Sequence, residues 1–264
     1  MLVQRILTAL AGIPIVFLCI YYGGISFFLM FFLIILFAVW EYFSICKKYN
    51  PLNILGTVTA CLFYLSLYFN FYTREFIILS ILLIFLVLMI KNKITNISGS
   101  ISVTCFGTLF IPWTLYHMVL IRDIPDDGIK YIVFLFVNIW LLDTGAYFVG
   151  KKFGKYKLAK NISPKKTIEG AVAGVITSII VSLLCRIVFM KDIISLNEAI
   201  LFAVVISAVG QFSDLAESMF KRDADIKDSG NILPGHGGML DRFDSYLFAA
   251  PVFYYLIVLL KNFS

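Results

Sequence analysis

Residues 25–43 read ISFFLMFFLIILFAVWEYF, and this stretch decides the fold. It is nearly continuous apolar sequence with no period-two alternation, so it cannot be a barrel strand, whose residues alternate between lipid and lumen. At 1.5 Å per residue a helix of this length crosses most of a hydrocarbon layer about 30 Å thick. Equivalent runs recur along the whole chain. Of its 264 residues, 61% are hydrophobic and 14% charged, and the mean hydropathy is +0.93. Soluble domains carry roughly 45–50% apolar and about 25% charged residues. This composition excludes a water-soluble core, a disordered chain, a coiled coil and a disulfide scaffold. It predicts an all-α, polytopic integral membrane protein.

Nine transmembrane helices are expected, at about 6–22, 25–43, 52–70, 75–91, 101–121, 130–149, 169–190, 195–219 and 239–261. The first follows Arg5 without a small-residue cleavage site and is read as a retained helix rather than a signal peptide. Basic residues set the orientation. With the amino terminus in the cytoplasm, inner loops hold Arg5, Lys47, Lys48, Lys91, Lys93, the lysines from Lys151 to Lys166, Lys221, Arg222, Lys227 and Arg242. Outer loops keep Arg74, Arg122, Lys130, Arg186, Lys191 and Lys261. Each inner loop exceeds its neighbours, which places the amino terminus inside and the carboxy terminus outside. The formal charge of +6 is therefore read as an orientation signal, with no nucleic acid as partner. Five cysteines without metal-ligand spacing read as small buried hydrophobes. His117, in an apolar span, reads as structural. Residues 1–122 form an amino-terminal set of five spans without a recognisable site. Residues 123–264 form a catalytic region of four spans with two cytoplasmic motif loops, both parts belonging to one integrated membrane domain.

Chemistry concentrates between Ser213 and Ser245, where seven of the 16 acidic residues fall. Asp214 lies about 9 Å before an expected helix end near Phe220. A carboxylate at that depth is costly unless paired, protonated or bound to a cation. Asp214, Glu217 and Ser218 share one helical face, and Asp241 and Asp244 repeat the spacing at the start of the last helix. The intervening Leu233-Pro234-Gly235-His236-Gly237-Gly238 must turn tightly. Two carboxylate-bearing helix ends are thus expected to meet at one hairpin, an oxygen-rich setting suited to Mg²⁺ with substrate phosphate. Asp214, Asp241 and Asp244 are the candidate metal ligands. Lys221, Arg222, Lys227 and Arg242 are candidate partners of phosphate oxygens, and His236, between glycines, is a candidate ligand contact or proton donor.

A second cluster combines Asp143 with the basic loop after Gly150. Lys151 to Lys160 are explained by attraction to anionic lipid. Ser163-Pro164 reads as helix N-cap and first helical position, which would put Lys165 and Lys166 in a first turn where cations are disfavoured. A substrate phosphate bound by Ser163, Lys165, Lys166, Thr167 and Glu169 would offset that.

Ser218, Lys221-Arg222, Lys227-Asp228, Gly230, Leu233-Pro234, His236-Gly237-Gly238, Asp241-Arg242 and Asp244 together resemble the signature of the phosphatidate cytidylyltransferases, or CDP-diacylglycerol synthases. The stretch from Ser163 to Gly170, with Asp143 upstream, is similar to that family too. The resemblance implies the reaction CTP plus phosphatidic acid to CDP-diacylglycerol plus pyrophosphate, an all-helical membrane enzyme, a two-metal Mg²⁺ centre and a homodimer. Asp214 and Asp241 match the family's metal-binding aspartates. It implies catalytic roles for Asp214, Asp241, Asp244, Lys221, Arg222 and His236. Substrate contacts would come from Asp143, Ser218, Lys227, Asp228, Gly237, Gly238 and Arg242 besides the second cluster. The expected location is the bacterial inner membrane, with the active site on the cytoplasmic side. Competing readings are a CTP-dependent polyprenol or phytol kinase and, from another class, an ion-coupled transporter.

Overall fold

A computed structural model of the chain describes residues 2–92, 95–226, 228–230, 232 and 237–262. The sequence expectations at Lys93, Lys227 and the tight turn at 233–236, with His236, lie outside the described residues, as does the carboxy-terminal Ser264. All nine apolar segments are helical, in the expected order: α1 Leu2–Tyr22, α2 Gly24–Ile45, α3 Asn53–Tyr68, α4 Thr73–Ile90, α5 Ile97–Cys105 continuing into α6 Ile111–Arg122, α7 Gly128–Phe153, α8 Ile168–Cys185, α9 Leu196–Asp223, and α10 Leu240–Phe243 followed by α11 Tyr246–Asn262. Seven of these segments among the described residues are long and apolar enough to cross a membrane. The 16 residues of α3 reach only about 24 Å.

The chain divides into two compact units. One contains Met1–Val119 with Phe220–Phe243, the other Leu120–Met219 with Asp244–Ser264. The segment before Asp244 is therefore grouped with the amino-terminal helices.

In the first unit, one face of α2 forms the core. Phe27, Phe31, Ile35 and Ala38 are fully buried, at spacings of three and four residues that keep them on one side of a helix. Phe28 stacks on Tyr64 of α3 with ring centroids 5.0 Å apart, and Phe31 meets Phe243 of α10 edge-on at 5.8 Å. Between α5 and α6 a π-helical turn spans Phe106–Phe110; Phe106 packs against both Tyr42 and Phe220. His117 is buried, with Nδ1 2.8 Å from the Trp113 carbonyl oxygen, in keeping with a structural role.

In the second unit, α7 and α8 approach closely because small residues line their contact. A Cβ on Gly145 would lie 2.2 Å from Thr177 Oγ1, and one on Gly174 would lie 2.8 Å from Leu142 Cδ1. Helices in lipid lack a hydrophobic drive to associate, so close backbone approach and interhelical hydrogen bonds supply it. Ser178 Oγ lies 3.0 Å from Asn138 Oδ1 and 3.2 Å from the Ala203 carbonyl, linking α7, α8 and α9, and Ser182 donates to the Ala199 carbonyl at 2.6 Å. Phe134 and Phe202 pack around Phe253 of α11.

Among the described residues, two short elements are strands. Strands β1 Lys157–Ala159 and β2 Ser163–Thr167 form an antiparallel hairpin, pairing Lys157 with Thr167 and Ala159 with Ser163. This corrects the reading of Ser163-Pro164 as a helix start. Thr167 is the cap: it is extended, at φ −125°, and its hydroxyl accepts the Gly170 N–H. Pro164 fits because a two-stranded ribbon has open edges that need no N–H from it. A second departure lies at the end of the chain, where a turn at Asp244–Ser245 separates α10 from α11. Asp241 and Asp244 do not sit on one continuous helix.

Candidate active site

Helix α9 runs three residues past the expected end, to Asp223. Its terminus is a Schellman arrangement: Asp225 takes a left-handed φ of 56°, its N–H donates to the Arg222 carbonyl, and the Ile226 N–H donates to the Lys221 carbonyl. Lys221 and Arg222 lie in the last turn, where the helix dipole favours cations. From the 3₁₀ turn Cys46–Tyr49 that follows α2, Lys48 and Tyr49 fasten this terminus. Lys48 Nζ lies 2.7 Å from Asp223 Oδ1, and Tyr49 O–H donates to Asp223 Oδ2 at 2.9 Å.

In the first unit Asp241 is the centre of a donor set. Its Oδ1 accepts from Lys221 Nζ at 2.7 Å, and its Oδ2 accepts the N–H of Ser229 at 2.9 Å and of Gly238 at 3.0 Å. Both partners of the ion pair are nearly buried. Gly237 makes the turn before it with φ 85°, a conformation costly for any residue with a Cβ. Gly238 is required for a different reason, because a Cβ there would lie 1.9 Å from Ser229 Oγ. Asp228 and Arg242 are exposed at the margin of this loop, and the Arg222 guanidinium donates to the Ile226 carbonyl at 2.8 Å.

The second unit gathers acidic residues from two helices and the turn before α11. Asp143 projects from α7, Asp214 and Glu217 from α9, and Asp244 precedes α11; the first three all bear electrostatically on Asp244. Local packing sets the level at which they meet. Gly210 of α9 fits between Leu142 and Ser245, the immediate neighbours of Asp143 and Asp244. Ser213 then ties α9 to the last segment: its hydroxyl donates to the Asp244 carbonyl and accepts the Phe248 N–H at 3.2 Å. Lys166 Nζ forms an ion pair with Asp214 Oδ2, so the basic motif and the acidic motif are joined directly. Strand alternation explains why Lys166 makes this contact and Lys165 does not, since successive strand residues face opposite ways; Lys165 is exposed. Thr167 and Glu169 organise the junction. Thr167 caps α8, and the Glu169 carboxylate accepts the Tyr156 N–H. Ser163 opens β2, and Ser218 is buried on α9.

Among the described residues no three His, Cys, Asp or Glu side chains converge into a ready-made metal cage. Four carboxylates near one another in a membrane protein call for positive charge, part of which Lys166 supplies. Mg²⁺ suits such a site, because it takes one or two carboxylates and fills its remaining positions with water and substrate phosphate.

Sequence reasoning missed Glu41. It is 2% exposed in the apolar α2 helix, and its Oε2 accepts the Ser229 hydroxyl at 3.1 Å and the Leu240 N–H at 2.8 Å. A lone carboxylate inside residues 25–43 is the signal that could have found it.

The profile of the Cytidylyltransferase family matches residues 3–260. A phosphatidate cytidylyltransferase of Bacillus subtilis is 35% identical over 266 residues, covering 97% of this chain and 97% of that protein. One from Staphylococcus saprophyticus is 39% identical over 185 residues, 70% of this chain and 69% of its own length. One from Staphylococcus epidermidis is 47% identical over 133 residues, covering 50% of this chain and 51% of that protein. With a match of this extent laid over an acidic and basic site in a helical membrane chain, the chain belongs to the cytidylyltransferase family.

Proposed function

We propose that the chain transfers the cytidylyl group of CTP to phosphatidic acid, giving CDP-diacylglycerol and pyrophosphate, at the cytoplasmic face of a bacterial inner membrane. The observation that carries this reading is the Lys166–Asp214 pair beside Glu217, Asp244 and Asp143. It joins anion-binding and cation-binding groups on the elements that the resemblance assigns to the substrates. A phosphate oxygen of the lipid attacks the α-phosphorus of CTP, a new P–O bond forms, and the bond to the β-phosphate oxygen breaks. The lipid phosphate is already ionised near neutral pH and needs no external base. Catalysis then consists of positioning and charge stabilisation.

Lys166, Lys221, Arg222 and Arg242 would orient and neutralise phosphate oxygens, while the β1–β2 hairpin sets where Lys166 stands. Asp214 and Asp244 in the second unit, and Asp241 in the first, are the candidate Mg²⁺ ligands. Mg²⁺, in the two-metal form that the resemblance implies, would supply charge stabilisation to the attacking and leaving oxygens. The nine helices would all span the bilayer, amino terminus inside and carboxy terminus outside, in a homodimer.

The test is purified protein in detergent with phosphatidic acid, labelled CTP and Mg²⁺. Lipid-bound cytidine and pyrophosphate are expected, and a chelator should abolish both. Free CDP with a phosphorylated lipid alcohol would instead establish a kinase. Failure to form any lipid-linked cytidine would remove the proposal.

A further inference from the structure

We infer that Glu41 is a positioning residue: it clamps the neck of the loop between Asp228 and Asp241 and so holds Asp241, Gly237 and Gly238 in working geometry. Glu41 is the single charged residue of α2, buried where a carboxylate needs strong compensation. Among the described residues, the hydrogen bonds it accepts come from the two arms of the loop. Glu41 Oε2 accepts the hydroxyl of Ser229 at the loop's entrance and the N–H of Leu240 at its exit. Asp241 answers from the other side, taking the N–H of Ser229 and of Gly238. Ser229 is thus held through its side chain by one carboxylate and through its backbone by the other.

Space around Glu41 is shaped to match. A Cβ at Gly230 would lie 2.5 Å from Oε1, and one at Gly238 would lie 2.5 Å from Oε2. Glycine at both positions is therefore what lets the two arms close on this carboxylate. On α10, Leu240 is buried and Phe243 packs against Phe31 of α2, so the same helix supplies both the apolar seat and the polar clamp. Nothing in this arrangement requires Glu41 to touch substrate. It needs one acceptor oxygen, Oε2, fixed between two donors, which is a role for shape and hydrogen bonding.

The inference rests on the reading of Asp241 as part of the cytidylyl-transfer site, and the test separates the two. Glu41→Ala and Glu41→Gln are compared with the parent chain, in detergent, for transfer kinetics and for hydrogen exchange at the Ser229, Gly238 and Leu240 amides. Glu41→Ala should lower kcat by about 100-fold with little change in KM, the scale of a small misplacement of catalytic groups. Its loop amides should exchange at least about tenfold faster. Glu41→Gln retains an acceptor oxygen for both donors and should keep most of the rate and protection. Near-normal kcat and exchange in Glu41→Ala would overturn the inference. So would a Glu41→Gln variant as impaired as Glu41→Ala, which would mean that charge rather than acceptor geometry matters. Should Glu41→Ala not insert, Ser229→Ala removes one donor and leaves the carboxylate in place. It should lose about tenfold in kcat with faster exchange at Gly238 and Leu240, and no change in either would count against the clamp. If the parent chain forms no CDP-diacylglycerol, the functional reading fails and the exchange measurements alone decide the clamp.

Discussion

Replacing Asp241 by Asn separates the ion pair from the metal. In the parent chain one carboxylate serves three donors: Lys221 Nζ at 2.7 Å on one oxygen, and the Ser229 and Gly238 N–H groups at 2.9 Å and 3.0 Å on the other. An amide has a single acceptor oxygen. If that oxygen keeps the two backbone donors, the NH₂ group is turned against the Lys221 ammonium, which is itself buried. Removing one member of a buried pair costs about 3–5 kcal/mol. The lower end applies, because both backbone bonds survive and each side chain retains 10% and 9% exposure. About 3 kcal/mol is roughly two decades in an equilibrium, and it should lower the unfolding midpoint by about 6–12 °C for a chain of this size. Asp241→Asn is therefore expected to lose both stability and at least about 100-fold in rate. Adding Lys221→Met removes the stranded ammonium and should restore most of the stability, since apolar replacement of a buried pair is often neutral. The double variant should nevertheless stay inactive, because Asn cannot supply the full negative charge that Mg²⁺ prefers. The assay is formation of lipid-linked cytidine alongside thermal unfolding in the same detergent. Recovery of rate together with stability would show that Asp241 and Lys221 serve only each other, and would remove both from the chemistry.

Three further outcomes are expected. Lys166→Ala should cut turnover by at least about tenfold by removing the partner of Asp214, while Lys152→Ala should change it little; equal effects in the same transfer assay would mean that the basic loop is wrongly divided. Gly238→Ala forces a Cβ to within 1.9 Å of Ser229 Oγ, and an overpacking cost of about 1–3 kcal/mol should appear as lost activity and a lower unfolding midpoint; normal values for both would refute the tight neck of the loop. Thr167→Val removes the hydroxyl that accepts the Gly170 N–H at 3.2 Å and should cost about 1 kcal/mol, whereas Thr167→Ser should be close to neutral in thermal unfolding.

The sequence by itself determined the class of the protein and the order of its helices. A helix in lipid satisfies its own backbone hydrogen bonds, so twenty apolar residues specify one wherever they occur, and all nine segments were legible from composition alone. The acidic and basic character of the site was legible for a related reason, because charge inside an apolar run is costly and must be used. Tertiary structure decided what depends on a partner elsewhere in the chain. Ser163–Thr167 is a strand only because Lys157–Ala159 lies beside it, and local preference at Ser-Pro favoured a helix start instead. Lys166 and Lys165 look equivalent in sequence, yet pairing with Asp214 distinguishes them. Glu41 and Ser229 are 188 positions apart. No period or motif connects them, and only the folded chain brings that carboxylate to the loop whose geometry it holds.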